Sequence, residues 1–372
     1  MSVGLQNGFR VFITGGGTGG HVLPNLPIIS LLRRNGWKVY YIGSADGIES
    51  EIIPPAGVEF FPIGCGKFRR HWSTKHLTDP FRLVFGFTQA LILFRELRPH
   101  VVFSKGGYVS VPVIIAAWVY GVPVVVHESD ISPGLANRFA ARFAKVVCVT
   151  FEETAKLFGQ KKGCRVLVTG MPMRENISRG DSDEGRMLCG FDKISPTLLI
   201  MGGSMGSARI NKTVEAVLPS LTSHFQVVHL TGKGRHSNIG RYDGRYKQFE
   251  FTKELQHLLA MSDFVVSRAG ATSILELLAA KKVNVLLPIS KASRGEQIEN
   301  ADYCKKKGVS YIIDEQNLSP EALLNAISTI FAQRQKYLTA INSLNICDGT
   351  EEICRLITRL ATSESKYYAV GI

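Results

Sequence analysis

One short pattern occurs twice in the sequence, and this repetition limits the chain to few folds. A run of apolar, β-branched residues leads into a glycine-rich turn and then a helical pattern at residues 10–21, "RVFITGGGTGGH", and again at residues 197–211, "TLLIMGGSMGSARIN". Continuous apolar strands suit a parallel sheet that helices cover on both faces. The 372 residues suffice for two such domains, since a domain takes roughly 100–200 residues.

Further apolar runs continue this alternation through both halves of the chain. They lie at residues 38–43, 100–107, 122–129, 145–150 and 165–170, then at 226–232, 263–270, 283–290 and 309–314. Helical stretches between them, such as 26–36 and 111–121, end at glycine. The alternation predicts two doubly wound α/β domains, joined by a polar, proline-containing passage around residues 171–196.

Charge and cysteine content narrow the classes of function. Lys+Arg 44 against Asp+Glu 31 gives a net charge of +13, which favours nucleic acid, an anionic membrane surface or phosphorylated substrates as partners. The seven cysteines form no C-x-x-C pair, so we expect neither disulfides nor a zinc site but a reducing cytosol. Residues 1–15 lack the pattern of a signal peptide.

The longest apolar run, residues 111–126, is too short and too interrupted for a membrane span. Gly121 and Pro123 break it, and a bilayer requires about 20 apolar residues. We therefore predict a helix, a turn and a buried strand in this stretch.

The first glycine turn, residues 14–21, allows three interpretations when taken alone. A dinucleotide site would open directly into a helix and place an acidic residue about 20 residues later, whereas prolines follow here and the first acid is Asp46. A P-loop would need a lysine after the glycines, and none follows. The third interpretation is a tight strand-to-helix turn without a ligand.

The second turn, residues 202–207, favours a diphosphate. It combines glycines with the hydroxyl of Ser204 and a helix N-terminus, a combination that stabilises anions. A glycine turn with a capping serine is the alternative interpretation.

The region after the second turn offers groups for a nucleotide sugar. In "SRAGATSILELLAAKK", residues 267–282, small residues begin a helix that carries Glu276, whose carboxylate could accept hydrogen bonds from both ribose hydroxyls. A solvated surface glutamate is the alternative. The loop at residues 290–301 adds Arg294, Glu296 and Gln297 as candidates for contact with a sugar.

Two other segments contain possible metal ligands, but we predict no metal site at either. The "DSD" at residues 181–183 lies in the polar passage and not after a strand, so we interpret it as a solvated loop. His71 and His76 are five residues apart, which is not a metal-ligand spacing on a helix, and we place them on the surface.

Residues 67–98 combine seven Lys and Arg residues with interleaved aromatic residues. A basic rim around an apolar surface is typical of docking on an anionic bilayer. We expect membrane contact from residues 67–78, with a surface loop as the alternative, and we expect most aromatic residues of 80–94 to form the buried face of a helix.

Seven segments, in order, resemble the MurG family of transferases, glycosyltransferase family 28. They are "GGGTGGHVLPNLPI", "SKGGYVSVPV", "HESDISPGLANR", "TGMPMRENI", "MGGSMGSARIN", "SRAGATSILELL" and "SRGEQIENA". The resemblance spans essentially the whole chain. It implies a GT-B fold of two Rossmann-like domains with an inter-domain cleft: residues 1–173, to which a last helix at 348–372 crosses back, and residues 174–347.

The resemblance also implies an activity. The family moves N-acetylglucosamine from UDP-N-acetylglucosamine (UDP-GlcNAc) to the N-acetylmuramyl 4-hydroxyl of lipid I, with inversion, and so makes lipid II for peptidoglycan. Such a protein acts peripherally on the cytoplasmic side of the cell membrane, without nucleic acid, metal or an obligatory cofactor. Another GT-B UDP-sugar transferase acting on a membrane lipid, a UDP-sugar epimerase and a dinucleotide-binding module remain alternatives.

The resemblance assigns roles in both domains. In the first, Thr18, Gly19 and Gly20 close over the diphosphate and sugar, and His21 lies near the reacting hydroxyl, with 127–128 as the alternative location of the base. The acceptor's diphosphate is also expected on this domain.

The resemblance further implies that the donor nucleotide lies mainly on the second domain. The uracil is implied to lie near Arg174 and the backbone of Thr252, and the ribose at Glu276. Ser204 would contact the diphosphate and Gln297 the donor sugar.

Two positions depart from the family pattern. The chain has "HESD" where many members have "HEQN", so Asp130 replaces an asparagine expected at the donor sugar, and Glu296 stands where glutamine is common. A carboxylate accepts hydrogen bonds from sugar hydroxyls but cannot donate an amide N–H.

Overall fold

The computed structural model describes residues 8–65, 79–159, 163–203, 206–236, 244–289 and 295–368. The chain divides into two compact units. The first unit comprises Met1–Arg174 with Cys347–Ile372, and the second unit comprises Glu175–Ile346. Each unit is built on its own parallel sheet.

The described part of the first unit contains a seven-stranded parallel sheet. Its strands are β1 (Arg10–Gly15), β2 (Lys38–Ser44), β3 (Glu59–Ile63), β4 (Val101–Gly106), β5 (Val124–Glu128), β6 (Val146–Val149) and β7 (Arg165–Val168). They are hydrogen-bonded in the order β3-β2-β1-β4-β5-β6-β7. The order reverses between β1 and β4, and open α/β sheets bind ligands beyond the carboxyl ends of the strands at such a switch point.

Helices cover both faces of this sheet. They are α1 (Gly19–Val22), α2 (Asn25–Arg34), α3 (Glu49–Ile52), α4 (Asp79–Leu97), α5 (Ser110–Val119), α6 (Leu135–Ala140) and α7 (Glu152–Phe158). On one face Ile28 and Leu32 of α2 pack with Ile13 of β1. On the other face Val113 of α5 packs with Phe12. Covering both faces explains why the central strands are apolar throughout.

The second unit repeats this topology with a six-stranded sheet among its described residues. The strands are β8 (Thr197–Met201), β9 (Gln226–Leu230), β10 (Tyr246–Phe249), β11 (Phe264–Ser267), β12 (Val283–Leu286) and β13 (Tyr311–Ile312), in the order β10-β9-β8-β11-β12-β13. The helices are α8 (Ser182–Cys189), α9 (Ala208–Thr222), α10 (Leu255–Met261), α11 (Ala271–Ala279), α12 (Glu296–Lys306), α13 (Pro320–Ala332) and α14 (Arg334–Ser343). Its switch point lies between β8 and β11.

The last helix, α15 (Thr350–Tyr368), completes the first unit. Its buried Ile353, Ile357 and Ala361 recur at helical spacing and belong to the core that includes α2. Asp348 holds the approach to this helix, because its Oδ1 accepts from the backbone N–H of Met173 at 3.2 Å and of Thr350 at 2.9 Å.

The prediction of two doubly wound α/β domains is confirmed, including the helix, turn and strand at residues 111–126, but three local features differ. The apolar runs did not predict β3 or β10, which are edge strands with mostly half-exposed residues. The interpretation of residues 181–183 as a loop is wrong. Asp181 is exposed but caps α8, and its Oδ1 accepts from the N–H groups of Asp183 at 2.7 Å and Glu184 at 3.2 Å.

Candidate active site

The glycine turn after β1 packs tightly against other parts of the first unit. A Cβ on Gly16 would overlap the carboxylate of Glu49, and a Cβ on Gly107 would overlap the carbonyl oxygen of Gly16. The N–H of Gly16 donates to the carbonyl of Gly106 at 3.3 Å, and that of Gly17 donates to Glu49 Oε2 at 3.1 Å. The close approach that these glycines permit is therefore to protein groups.

Glu49 holds this turn in place through buried hydrogen bonds. Its carboxylate is fully buried at the start of α3 and accepts hydrogen bonds from Ser44 N at 3.1 Å, Ser44 Oγ at 2.6 Å and Gly17 N at 3.1 Å. A buried carboxylate satisfied in this way ties the end of β2 to the end of β1. Sequence reasoning missed Glu49, and its only signal was an acidic residue soon after an apolar strand.

A second set of hydrogen bonds holds His21 in place. Its Nδ1 is hydrogen-bonded to Thr18 Oγ1 at 3.0 Å. Its carbonyl accepts from Asn25 Nδ2 at 2.9 Å, which also donates to the hydroxyl of Tyr41 at 2.9 Å. That hydroxyl donates to the carbonyl of Gly15 at 2.6 Å, and burial raises its pKa, so it stays protonated.

The contact with Thr18 determines what the His21 ring can do. When Nδ1–H donates to Thr18 Oγ1, the ring is the tautomer with a lone pair on Nε2, which is the form that can accept a proton from a hydroxyl group. The other tautomer presents an N–H at Nε2 and cannot accept one. Thr18 can therefore set the ring tautomer that a general base needs.

The turn after β5 is organised by Glu128. This buried carboxylate accepts from Asp130 N at 3.1 Å, Gly134 N at 2.9 Å and Asn137 Nδ2 at 2.9 Å. The half-buried Asp130 is thus held at the start of a closed turn. These contacts give Glu128 a structural part in the turn.

Two further buried groups lie beside this turn. Lys105, at the end of β4, donates a hydrogen bond to Ser129 Oγ. His127 Nε2 is hydrogen-bonded to the carbonyl of Gly170 at 2.9 Å, and burial holds the pKa of its ring well below the usual value. Neither residue 127 nor residue 128 is exposed, so the structure does not favour them as the base that the sequence left as an alternative.

In the second unit, the turn after β8 also requires glycine. Gly206 has φ +69°, and a Cβ there would overlap the carbonyl oxygen of Thr231. Ser207 then caps α9, with its Oγ accepting from Ile210 N at 3.3 Å. Ser204, the residue predicted at the diphosphate, lies outside the described residues.

Arg268 connects the turns that follow β8, β12 and β13. It is buried directly after β11 and donates to Ser207 Oγ at 2.7 Å and to the carbonyl of Leu287 at 3.0 Å. Its guanidinium also pairs with Glu315 Oε1 at 2.6 Å. Sequence reasoning gave Arg268 no role, although its position at the end of a buried strand was a usable signal.

Three predicted donor contacts follow strands of the second sheet. Glu276 lies on α11 after β11 and is 3% exposed. Gln297 lies on α12 after β12, and its Oε1 accepts from Ile289 N at 3.2 Å. Thr252 follows β10, and its Oγ1 accepts from Glu254 N at 3.0 Å. Arg174, by contrast, is half-buried in the first unit.

Comparison with known proteins identifies the family. The Glycosyltransferase family 28 N-terminal domain matches residues 11–149, and the Glycosyltransferase family 28 C-terminal domain matches residues 197–351. The chain belongs to glycosyltransferase family 28. The first glycine turn therefore lies near the start of the matched N-terminal domain, and the second lies near the start of the matched C-terminal domain.

Relatives of this family 28 chain share nearly its full length. Two are named UDP-N-acetylglucosamine--N-acetylmuramyl-(pentapeptide) pyrophosphoryl-undecaprenol N-acetylglucosamine transferase. The one from Legionella pneumophila (strain Paris) is 44% identical over 94% of this chain and 97% of its own. The one from Clostridium perfringens (strain 13 / Type A) is 42% identical over 95% and 99%. The crystal structure of Acinetobacter baumannii MurG has the same fold, with a TM-score of 0.72, 22% identity and coverage of 95% and 100%.

Several residues named in the sequence analysis do not belong to the described part of the chain. His71, His76, Arg294 and the segment 67–78 lie outside the described residues. Within the described ranges, no three His, Cys, Asp or Glu side chains are grouped to hold a metal ion. None of the described helices is both long enough and apolar enough to cross a bilayer.

Proposed function

We propose that this family 28 protein transfers N-acetylglucosamine from UDP-GlcNAc to the N-acetylmuramyl 4-hydroxyl of lipid I, the step that makes lipid II for peptidoglycan. The observation that carries the proposal is the 42–44% identity, over nearly full length, to transferases named for this donor and acceptor. Two doubly wound units, each with a glycine turn at its switch point, support it.

The donor is proposed to bind mainly to the second unit. Glu276 accepts hydrogen bonds from the ribose hydroxyls. Thr252 and Arg174 contact the uracil, and Gln297 contacts the donor sugar. The diphosphate contacts Ser204, which precedes the 15-residue helix α9 in the sequence. The N-terminal end of that helix stabilises the negative charge that develops as UDP leaves.

The acceptor hydroxyl is proposed to be activated on the first unit. Its oxygen attacks the anomeric carbon of the donor, the bond from that carbon to the UDP oxygen breaks, and the configuration inverts. His21 Nε2 takes the hydroxyl proton, with the tautomer set by Thr18. Asp130, Gly19 and Gly20 contact the sugar and diphosphate from this side.

An acceptor-dependent assay tests this function. Purified protein is incubated with UDP-GlcNAc and a short-chain lipid I analogue, and the products are separated and linkage-analysed. We expect a β-linked disaccharide and one UDP released per disaccharide. A new UDP-sugar formed from donor alone would instead indicate an epimerase, and thermal protection by NAD but not UDP would indicate a dinucleotide-binding module.

Removing the carboxylate of Glu276 should weaken donor binding. We expect Glu276→Ala to raise the KM for UDP-GlcNAc about 30-fold and to change kcat less than threefold, because charge-assisted hydrogen bonds of about 2 kcal/mol are lost equally from ground and transition states. Initial rates at varied donor and saturating acceptor measure both constants. Glu299→Ala, which removes an exposed carboxylate from α12, should leave them unchanged, and a larger change in kcat than in KM would contradict the ribose role.

The first unit is proposed to rest on an anionic membrane surface through α4 and the end of α5. The expectation that the aromatic residues of 80–94 are mostly buried holds for Phe94, which is 1% exposed, but Phe85 is 60% exposed and lies next to the exposed Arg82. Trp118, at the end of α5, is 63% exposed. The hydroxyl of Tyr120 donates to the carbonyl of Leu91 at 3.2 Å and ties these two helices together.

Vesicle binding tests this surface. We expect the protein to sediment with phosphatidylglycerol vesicles and not with phosphatidylcholine vesicles, with binding that falls as salt is raised. Phe85→Ser should weaken binding about tenfold, because an exposed aromatic side chain no longer inserts into the interface. Phe331→Ser is the matched control, since Phe331 is 51% exposed on α13 of the second unit. Equal losses for the two variants would contradict the assignment of this surface.

A further inference from the structure

Lys105 is a buried cation close to the proposed donor contact Asp130. It is the next-to-last residue of β4, is 1% exposed and donates a hydrogen bond to Ser129 Oγ. An ammonium group removed from water is costly unless acceptors or opposite charges compensate. The presence of this buried ammonium group at the switch point therefore points to a role in ligand binding.

The charges around Lys105 come from two neighbouring strands and the turn after β5. Glu128 and Asp130 are acidic, the thiol of Cys148 approaches from β6, and the His127 ring lies on β5. Burial lowers the pKa of Lys105 to about 8, while the two carboxylates act in the opposite direction. Burial also raises the pKa of Cys148 to about 12 and lowers that of His127, so neither of these two changes charge between pH 7 and 9.

The two carboxylates are not equivalent. Both oxygens of Glu128 accept hydrogen bonds from within the turn, from Asp130 N, Gly134 N and Asn137 Nδ2. Asp130 follows Ser129 directly and is only half-buried. Its negative charge would repel the diphosphate of an approaching nucleotide sugar unless a cation offsets it.

We propose that Lys105 is a positioning residue that offsets the charge of Asp130 and, through Ser129, orients the carboxylate to accept hydrogen bonds from the donor sugar. This inference rests on the proposed function, because it takes UDP-GlcNAc as the ligand. Together, Lys105, Ser129 and Asp130 replace the neutral amide side chain of the asparagine expected at position 130.

A double-mutant cycle tests the coupling. We expect Lys105→Met to raise the KM for UDP-GlcNAc about tenfold and to change kcat less than threefold. In the Asp130→Asn background the same replacement should raise KM less than twofold, because no carboxylate needs a counter-charge. An equal rise in both backgrounds would mean that Lys105 only supports the fold, and it would overturn the proposal.

Lys282→Met is the control for loss of a lysine that is half-buried and hydrogen-bonded. Lys282 lies in the second unit, donates to the carbonyls of Ala260 at 3.2 Å and Ser262 at 2.9 Å, and burial also lowers its pKa to about 8. We expect this variant to lower the melting temperature without changing KM. A tenfold rise in KM there would show that the cycle reports destabilisation and would overturn the proposal.

The pH dependence gives an independent measurement that holds even when Lys105→Met does not fold. Burial lowers the pKa of Lys105 to about 8, so most of its positive charge is lost between pH 7 and pH 9, and the KM of the wild type should rise about fivefold over this range. The rise should be less than threefold in Asp130→Asn. Identical profiles for the two proteins would overturn the proposal.

Calorimetric titration with UDP-GlcNAc separates this inference from the proposed function. A wild type that binds UDP-GlcNAc but forms no disaccharide contradicts the function, while the dissociation constants of the same four proteins still give the coupling. A wild type that forms disaccharide with no coupling contradicts only the role of Lys105. Absence of UDP-GlcNAc binding overturns both.

Discussion

Replacement of His21 by alanine is expected to lower kcat about a thousandfold, with the donor KM changed less than threefold. A positioned general base contributes about 10²- to 10⁴-fold to a rate, and its loss affects the transition state more than donor binding. Steady-state kinetics with the lipid I analogue measure both constants. Unchanged turnover would mean that another group acts as the base. His127 and Glu128, the alternative location, are both buried and already engaged in hydrogen bonds.

Variants of Thr18 separate the basicity of His21 from its packing. Thr18→Ser keeps a hydroxyl within reach of Nδ1 and should retain kcat within about threefold. Thr18→Val has nearly the same shape but no acceptor for Nδ1–H, so the ring is free to take the unproductive tautomer, and kcat should fall about tenfold. If the two variants lose the same activity, the 3.0 Å contact has no part in setting the tautomer.

Replacement of Gly107 by alanine is expected to cause a large loss of stability in the first unit. Gly107 has φ +87°, and the added Cβ would overlap the backbone carbonyl of Gly16, which no rotamer change relieves. Backbone strain and displacement of the turn together should cost about 3–4 kcal/mol. Turnover should also fall, because Gly16 leads directly to Thr18 and His21.

Gly121→Ala is the matched control for the effect of backbone conformation alone. Gly121 also has a positive φ, +67°, but no atom lies within 4 Å of the position of an added Cβ. We expect it to cost about 1 kcal/mol. Urea unfolding followed by tryptophan fluorescence measures both variants in the first unit, because the 3 tryptophans, Trp37, Trp72 and Trp118, all belong to it. Equal losses for the two glycines would contradict the overlap with Gly16.

The sequence predicted the central strands well because of where they lie. Strands such as β1 and β8 are covered on both faces, so nearly every residue is apolar and the run is continuous. Edge strands β3 and β10 need no such pattern, since they are half-exposed, and Pro62 in β3 further weakens the strand signal.

The sequence identified the turns of the site but not the residues that support them. Glycine runs, capping residues and helix starts are local and can be read directly. The partners are not local: Glu49 is 32 positions from Gly17, Lys105 is 24 from Ser129 and Arg268 is 47 from Glu315. Such pairs meet only through the sheet, which brings the carboxyl ends of different strands to the same edge.

The position of α15 has a consequence for how the protein is made on the ribosome. The second unit is contiguous, at Glu175–Ile346, whereas the first unit draws its last core helix from beyond it. Ile353 and Ile357, which pack with α2, are synthesised more than 300 residues after Ile28. Because domains fold as units during synthesis, the second unit can finish folding while the first still lacks part of its core, although the first is begun earlier.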